Sequence, residues 1–493
     1  MNFSSGPMVI HGLLRVALAT ALATLVGCAT VGPDYTPPSL KIPAAWEAAL
    51  PHGGSTGALL AWWQGFNDPT LDLLLRAGEA DHPTLGQAAA AIAAARASRD
   101  QAGAGALPTL NAGIGATRSG SLRAGDAGGA NPLLASQTAM TTVSSAGLDA
   151  SWEIDLFGSV QRNREATSAR VQAREADWHD ARVSLAAEVA SEYVRYRACR
   201  LLAQSQRDNL DSLRKTAAGI RVAAELQLTA PAELTLASAG VANASASLTA
   251  QEAECELGVK SLVALTGLDE PQLRRHLGQE VPAIPVPAAL EVRAVPAQLL
   301  SQRPDLVAAE RTLAAASADV GVAESSRYPR LSLLGSVAVG RTSAGGTTLN
   351  TSPWSFGPSL SLPFFDGGRL RAQVSSVRAG YDMALASYQG AVRSAVRETE
   401  QSLVRLDAAG KRLDDVAASA RDYRRYFESA QENWQAGGIS LLTLEESRRS
   451  ALQAEQALVS TRRDRVLYGI ALYKALGGGW QNTNTTYPTG VSQ

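Results

Sequence analysis

Two proline pairs at one spacing constrain this chain more than any other feature. Pro83, in His82-Pro83-Thr84-Leu85, and Pro304, in Arg303-Pro304-Asp305-Leu306, stand 221 positions apart. Pro108 and Pro329, each leading into an alternating segment, are separated by the same 221 positions. Proline suits the first turn of a helix and cannot continue one, so each half brackets a helix of matching length. The chain reads as two halves of an internal duplication.

Alternation begins after each second proline. Leu110, Ala112, Ile114 and Ala116 alternate with Asn111, Gly113 and Gly115. Leu331, Leu333, Val337 and Val339 have Ser332 and Ser336 on the other face. Each half then supplies a partner segment, from Ala146 through Leu148, Ala150, Trp152 and Ile154 to Leu156, and from Trp354 through Phe356, Pro358, Leu360 and Leu362 to Phe364. Period two, with one apolar and one small or polar face, is the strand pattern of a membrane β-barrel. A soluble two-layer sheet is the alternative, but the polar faces hold no large apolar side chains from which to build a core. The Gly-, Ser- and Thr-rich stretches 118–142 and 341–353 are expected as joining loops. Four strands cannot close a barrel, because about eight are needed even for an interior filled with side chains. Several copies must share one.

The rest reads as helix. From Gly368 to about Gly437 an apolar or small residue recurs every three or four positions, including Val374, Val377, Tyr381, Leu403, Leu406, Leu413, Phe427 and Trp434. That near-heptad stripe has a stutter near Tyr388 to Val396. A helix of this length runs to roughly 100 Å. Ser159 to about Leu228 is its counterpart, and the return helices are Ala232 to Leu265 and Ser440 to Leu476. Asp155 and Asp366 stand where they can cap the long helices, beside glycines that permit the backbone to reverse. These lengths suit a coiled-coil tube better than a globule, and a purely fibrous scaffold would leave the strands unexplained.

The N-terminus carries a targeting signal. Arg15 precedes an apolar run, Val16 to Gly27, too short to span a bilayer but of signal-peptide length. It ends Leu25-Val26-Gly27-Cys28, a lipobox pattern in which the Cys28 thiol takes a diacylglyceryl group; a chance Cys after an ordinary secretory signal is the alternative. Acyl chains contribute roughly 0.8 kcal/mol per buried CH₂, so such an anchor is firm. The division expected is a signal peptide at 1–27, a lipid-anchored linker at 28–67, a first repeat at 68–295 with its hairpin at 108–157, a second repeat at 296–479 with its hairpin at 329–365, and a flexible tail at 480–493. With 45 Lys plus Arg against 46 Asp plus Glu, no basic excess argues for nucleic acid. The five histidines, at 11, 52, 82, 179 and 276, are never at helical-pair spacing, and no nucleophile, base or metal set converges. No enzyme and no cofactor beyond the lipid on Cys28 are expected.

Five stretches together resemble the outer membrane factor family, of the TolC, OprM and NodT type. They are Cys28-Ala29-Thr30-Val31-Gly32-Pro33-Asp34-Tyr35, Trp62 to Pro69 with Leu71 and Leu74, Ser151 to Gly158, Arg303-Pro304-Asp305, and Leu472 to Trp480. The resemblance spans nearly the whole mature chain. It implies a mixed membrane α/β fold, a trimeric 12-stranded β-barrel with four strands per chain continuing into a long α-helical coiled-coil tunnel. It implies the outer-membrane channel of a tripartite efflux system, passively conducting small molecules from an inner-membrane pump of the resistance–nodulation–division class through a periplasmic adaptor, the membrane fusion protein. Ala29 after the Cys, where retained lipoproteins carry Asp, fits outer-membrane sorting with a periplasmic helical extension. A duct for protein secretion and a lipid-anchored coiled-coil scaffold are the rival functions.

In that family acidic residues ring the axis at the helical tips. The matching stretch is Gly437-Gly438-Ile439-Ser440-Leu441-Leu442-Thr443-Leu444-Glu445-Glu446, which implies Glu446 as the gate carboxylate, with Glu445 beside it and Thr443 where some members are acidic. Solvated helix charges are the alternative. Carboxylates gathered at a symmetry axis repel, and Arg448 and Arg449 are candidate partners. Glu233, Gly437 and Gly438 are the candidates for adaptor contact. Cys199 and Cys255 lie at equal distance from position 227, close to the first tip, and so at nearly one height on neighbouring helices. Two separate buried thiols are expected there, with a disulfide as the alternative that the periplasm permits.

Overall fold

The computed structural model describes residues 30–38, 62–122, 138–278, 283–287 and 302–478. The expected signal peptide, Cys28 and the tail at 480–493 lie outside the described residues. Each half begins with a proline-led helix: α1 (Pro69–Asp81) and α2 (Pro83–Ala104) precede β1 (Thr109–Leu122) and β2 (Thr138–Ile154). There follow the long α3 (Ser159–Glu225), its return α4 (Pro231–Thr266) and the short α5 (Glu270–Leu277). In the second half come α6 (Pro304–Ser325), β3 (Arg330–Ala344), β4 (Thr347–Thr351), β5 (Trp354–Ser361), the long α7 (Arg369–Gln435) and its return α8 (Leu441–Ala475). Helices α2 and α6 each have 22 residues, and α3 and α7 each have 67. The acids expected as caps do cap: the Asp155 carboxylate accepts from Gln161 N–H at 2.9 Å, and that of Asp366 from Gly368 and Leu370 N–H at 2.9 and 2.8 Å.

The chain divides into two compact units. The first gathers the described residues of Met1–Pro38, Ala93–Gln172 and Arg311–Ala386, and it holds the sheet. All strand pairs are antiparallel, in the order β1-β2-β3, with β4 and β5 both paired to β3. Two expectations need correcting. The stretch 118–142 is not all loop, because the ladder between β1 and β2 continues to Leu122 opposite Thr138. Likewise β3 runs through Ala344 and turns at Gly345 and Gly346, both at positive φ, into β4. Small polar side chains leave backbone pairing intact, so their abundance marked a change of surroundings and not the end of the strands. The second hairpin's return arm is also two segments, giving five where four strands were expected. Pro353 has no N–H to donate to the ladder, though its carbonyl still accepts from Ala338 N–H at 2.9 Å.

The second unit gathers the described residues of Ser39–Ile92, Ala173–Glu310 and Ser387–Gln493, and its core explains the Trp62–Pro69 stretch. Trp62, 3% exposed, stacks on Tyr473 at 4.8 Å between ring centroids and meets the edge of Phe66 at 5.0 Å. Asp68 caps α1 by accepting from Thr70 and Leu71 N–H at 2.9 and 3.2 Å. Its other oxygen accepts from the Tyr193 hydroxyl at 2.7 Å, and that hydroxyl accepts in turn from buried Arg197. Burial pushes the Tyr193 phenol well above its ordinary range, so it stays protonated and keeps donating. The segment expected as the end of a linker is therefore a packed turn.

Cys199 on α3 and Cys255 on α4 form a disulfide, with Cα atoms 5.6 Å apart. This corrects the expectation of two free thiols. Their common height was legible from spacing, but which way each side chain points around its helix was not; they converge, and Cα atoms so close are within bridging reach.

Candidate functional site

The sheet separates two chemistries by register. Residues opposite each other share a face, so Leu110, Ala150, Gly335 and Phe356 form one row, and Ala112, Leu148, Val337 and Trp354 form the next. The intervening row on the other face is Asn111, Asp149, Ser336 and Ser355, where the two serine hydroxyls lie 2.8 Å apart. The apolar face is bare: Ile114 is 90% exposed and Trp354 77%. It begins at Ile154, Leu331 and Leu360 and ends at Ile114, Ala146 and Val339, beyond which Arg341 and Asn350 take over that face. From Ile154 to Ala146 is about 26 Å along the strand, the height of the apolar band on an outer-membrane barrel before tilt is allowed for. Among the described residues β1 has a partner on one side only, and so do β4 and β5.

A strap pins the N-terminal segment beside this sheet. Val31 N–H donates to Phe157 O at 3.1 Å, and the buried Arg162 guanidinium donates to Val31 O, Gly32 O and the Asp34 carboxylate, the last at 2.7 Å. Gly32 (φ 97°) lies so close to α6 that a Cβ there would stand 2.4 Å from Gly321 Cα. Glycine is required on steric grounds, which accounts for the Val31–Tyr35 stretch.

The two helical tips are built alike from different residues. Leu228 N–H donates to Ala223 O and Gln227 N–H to Ala224 O; Gly438 N–H donates to Asn433 O and Gly437 N–H to Trp434 O. Both ends are Schellman turns with one left-handed residue, Gly437 at φ 75° and Gln227 at φ 58°. The absence of glycine in the first tip thus changes its cost and not its shape. Gly437 and Gly438, sequence candidates for adaptor contact, are first of all the turn itself. Glu233 is half-buried and accepts from the Thr229 hydroxyl at the start of α4. The first tip exposes Leu226 and Leu228 at 63% and 76%.

At the second tip, Ser440 caps α8 by accepting from Thr443 N–H at 3.2 Å, with the two hydroxyls 3.0 Å apart. The proposed gate residues then part company. Glu446 and Arg449 are exposed, whereas Glu445 is half-buried and accepts from Arg448 at 2.8 Å. Arg448 is 4% exposed, donates to the Thr216 hydroxyl of α3 at 2.9 Å and lies over the Phe427 ring of α7 at 5.3 Å. It thereby ties three helices together. Burial raises the Glu445 carboxyl above the usual glutamate range, against the pull of Arg448 and Arg449, and burial likewise lowers Arg448. The pairing of Thr216 and Phe427 with Arg448 was not legible in the sequence; a hydroxyl and a ring inside helical stripes give no signal of a charge partner far along the chain.

The model of the outer membrane efflux protein family matches residues 74–268 and 295–478. The pyoverdine export outer membrane protein OpmQ of Pseudomonas aeruginosa is 31% identical over 95% of this chain and 97% of its own. The toluene efflux pump outer membrane protein TtgI of Pseudomonas putida is 29% identical over 97% of this chain and 99% of its own. Among solved structures, the outer-membrane channel OprN superposes with a TM-score of 0.77 at 30% identity, over 92% of this chain and all of OprN. The Campylobacter jejuni CmeC channel shares the fold, with a TM-score of 0.80 at 22% identity over 93% of this chain and 96% of its own. This chain belongs to the outer membrane efflux protein family.

Proposed function

We propose that the chain is the outer-membrane channel subunit of a tripartite efflux system, three copies of which close one barrel and continue it into a helical tunnel. The observation that carries this reading is the bare apolar face of the sheet between two open edges, β1 on one side and β4 with β5 on the other. A flat sheet with unpaired edges and exposed Trp and Phe is an aggregation hazard in water. Set among lipid and closed by neighbouring copies, it has no edge left and its apolar face is solvated correctly. The Asn111, Asp149, Ser336 and Ser355 row then lines the lumen. Counting β4 and β5 as one arm, four strands per chain and three chains would give about twelve, more than the eight or so that side chains can fill.

The strap supports lipid anchoring at Cys28. Thr30, two positions on, packs against Gly158 at the end of the hairpin, where a Cβ on the glycine would stand 2.5 Å from the Thr30 methyl. An anchor leaving that point enters the membrane beside the strands. The two family-model matches, one in each half, support an origin by duplication.

In this reading the second tip is the periplasmic gate. Glu446 is the exposed carboxylate that neighbouring copies would bring together, and Arg448 is the tie that holds the tip closed. Glu445 anchors that tie through its ion pair with Arg448, and Thr443 belongs to the Ser440 cap that begins α8. The first tip, with Leu226, Leu228 and Glu233, together with the turn at Gly437 and Gly438, receives the adaptor, and a pump of the resistance–nodulation–division class supplies the cargo. No cofactor takes part. Purified protein in planar bilayers tests the reading: discrete conductance steps are expected, larger for Glu446→Ala. A protein that inserts without any conductance would overturn it.

A further inference from the structure

We propose that Cys199 and Cys255 are oxidised while the α3–α4 helix pair is assembling, and that the finished bridge is a buried staple and not a redox switch. Cys255 is 5% exposed, and Cys199 is half-buried beneath Gln251, whose amide nitrogen stands 3.1 Å from its sulfur. An ion pair between Arg207 and Glu252 crosses the same α3–α4 seam. Thiol–disulfide exchange requires a thiolate to reach a sulfur, and the burial of Cys255 with Gln251 lying over Cys199 restricts that approach. The oxidation therefore precedes closure. The oxidant is a protein or small-molecule disulfide of an oxidising compartment. One cysteine thiolate attacks it to form a mixed disulfide, and the second displaces the oxidant's thiolate. The two thiols lose two protons and two electrons, and the oxidant leaves as a dithiol, or as two thiols where it is a small-molecule disulfide.

The staple's position indicates its use. Gln227, the left-handed residue of the first tip, lies midway along the 56-residue separation between the cysteines. A side chain in that conformation is disfavoured where glycine is not. The α7–α8 helix pair has Gly437 at its turn, and Ala409 and Arg465 at the places matching Cys199 and Cys255. The covalent tie thus occurs on the half with the costlier turn. It prevents α3 and α4 from sliding past each other and holds the strained tip in register.

Full-length protein extracted from membranes tests this by maleimide labelling. Denatured without reductant, the wild type should label no more than Cys199→Ala/Cys255→Ala; denatured with reductant, it should gain two further adducts. Dithiothreitol applied to the native protein should open less than about a tenth of what it opens after denaturation. Full-length protein nicked by a protease at the first tip should yield fragments that stay joined on a non-reducing gel and part on a reducing one, a readout that needs no variant. Free thiols in the unreduced protein, fragments that part without reductant, or complete opening under native conditions would each overturn the proposal.

Discussion

Arg448 shows how much of the second helical tip, the proposed gate, turns on a single side chain. Its guanidinium is buried among Glu445, Thr216 and Phe427, so replacing it strands a half-buried carboxylate as well as losing the contacts. Breaking one partner of a buried ion pair costs about 3 kcal/mol or more, and Arg448→Ala should lower the denaturation midpoint accordingly while raising bilayer conductance. Arg448→Lys, which keeps the charge but loses the fork, should fall between the two. Glu445 has a pH signature whose sign is fixed. Its folded carboxyl holds a proton more tightly than an ordinary glutamate, so stability is greater below that window and falls as pH rises through it. Glu445→Gln should remove that slope from the pH profile of unfolding; an unchanged slope would assign it to another group. The acidic pair Glu445 and Glu446 was legible in the sequence as a motif, but their division of labour was not. Adjacent residues on a helix point about 100° apart, and only packing decides which of them is buried.

At the scale of elements, the turns and straps are where glycine and cysteine matter. Gly437→Ala should cost about 1 kcal/mol, since alanine must enter the left-handed region, whereas Gln227→Gly should be neutral or stabilising at the matching turn of the first tip. The strap makes a sharper prediction. A Cβ on Gly32 would collide with the α6 backbone, not with a side chain that could move away. Gly32→Ala should therefore release residues 30–38 and make them protease-sensitive, leaving the sheet intact. Removing the disulfide opens a closed loop of 56 residues, for which chain entropy gives about 4 kcal/mol. Helix lengths and proline starts were readable because proline and 3.6-residue periodicity act locally. Strand ends were less so: the Ser- and Thr-rich ladder beyond Ala116 pairs as well as the apolar part, and the break at Pro353 depends on which of its neighbours needs an N–H.

For the whole molecule, the sheet's two edges and bare apolar face make the single chain incomplete as a membrane object. That conclusion was already available from counting alternating segments. The register adds which residues form each face and an apolar band of about 26 Å. What counting could not supply was the number of copies, because curvature and closure are properties of the assembled barrel and not of one sheet. The most direct test is the mass of the detergent-extracted particle, corrected for bound detergent. Three mature chains are expected per particle, each lighter than the 51.4 kDa of the full sequence by its signal peptide, at every dilution that keeps it folded. A monodisperse folded monomer would contradict it.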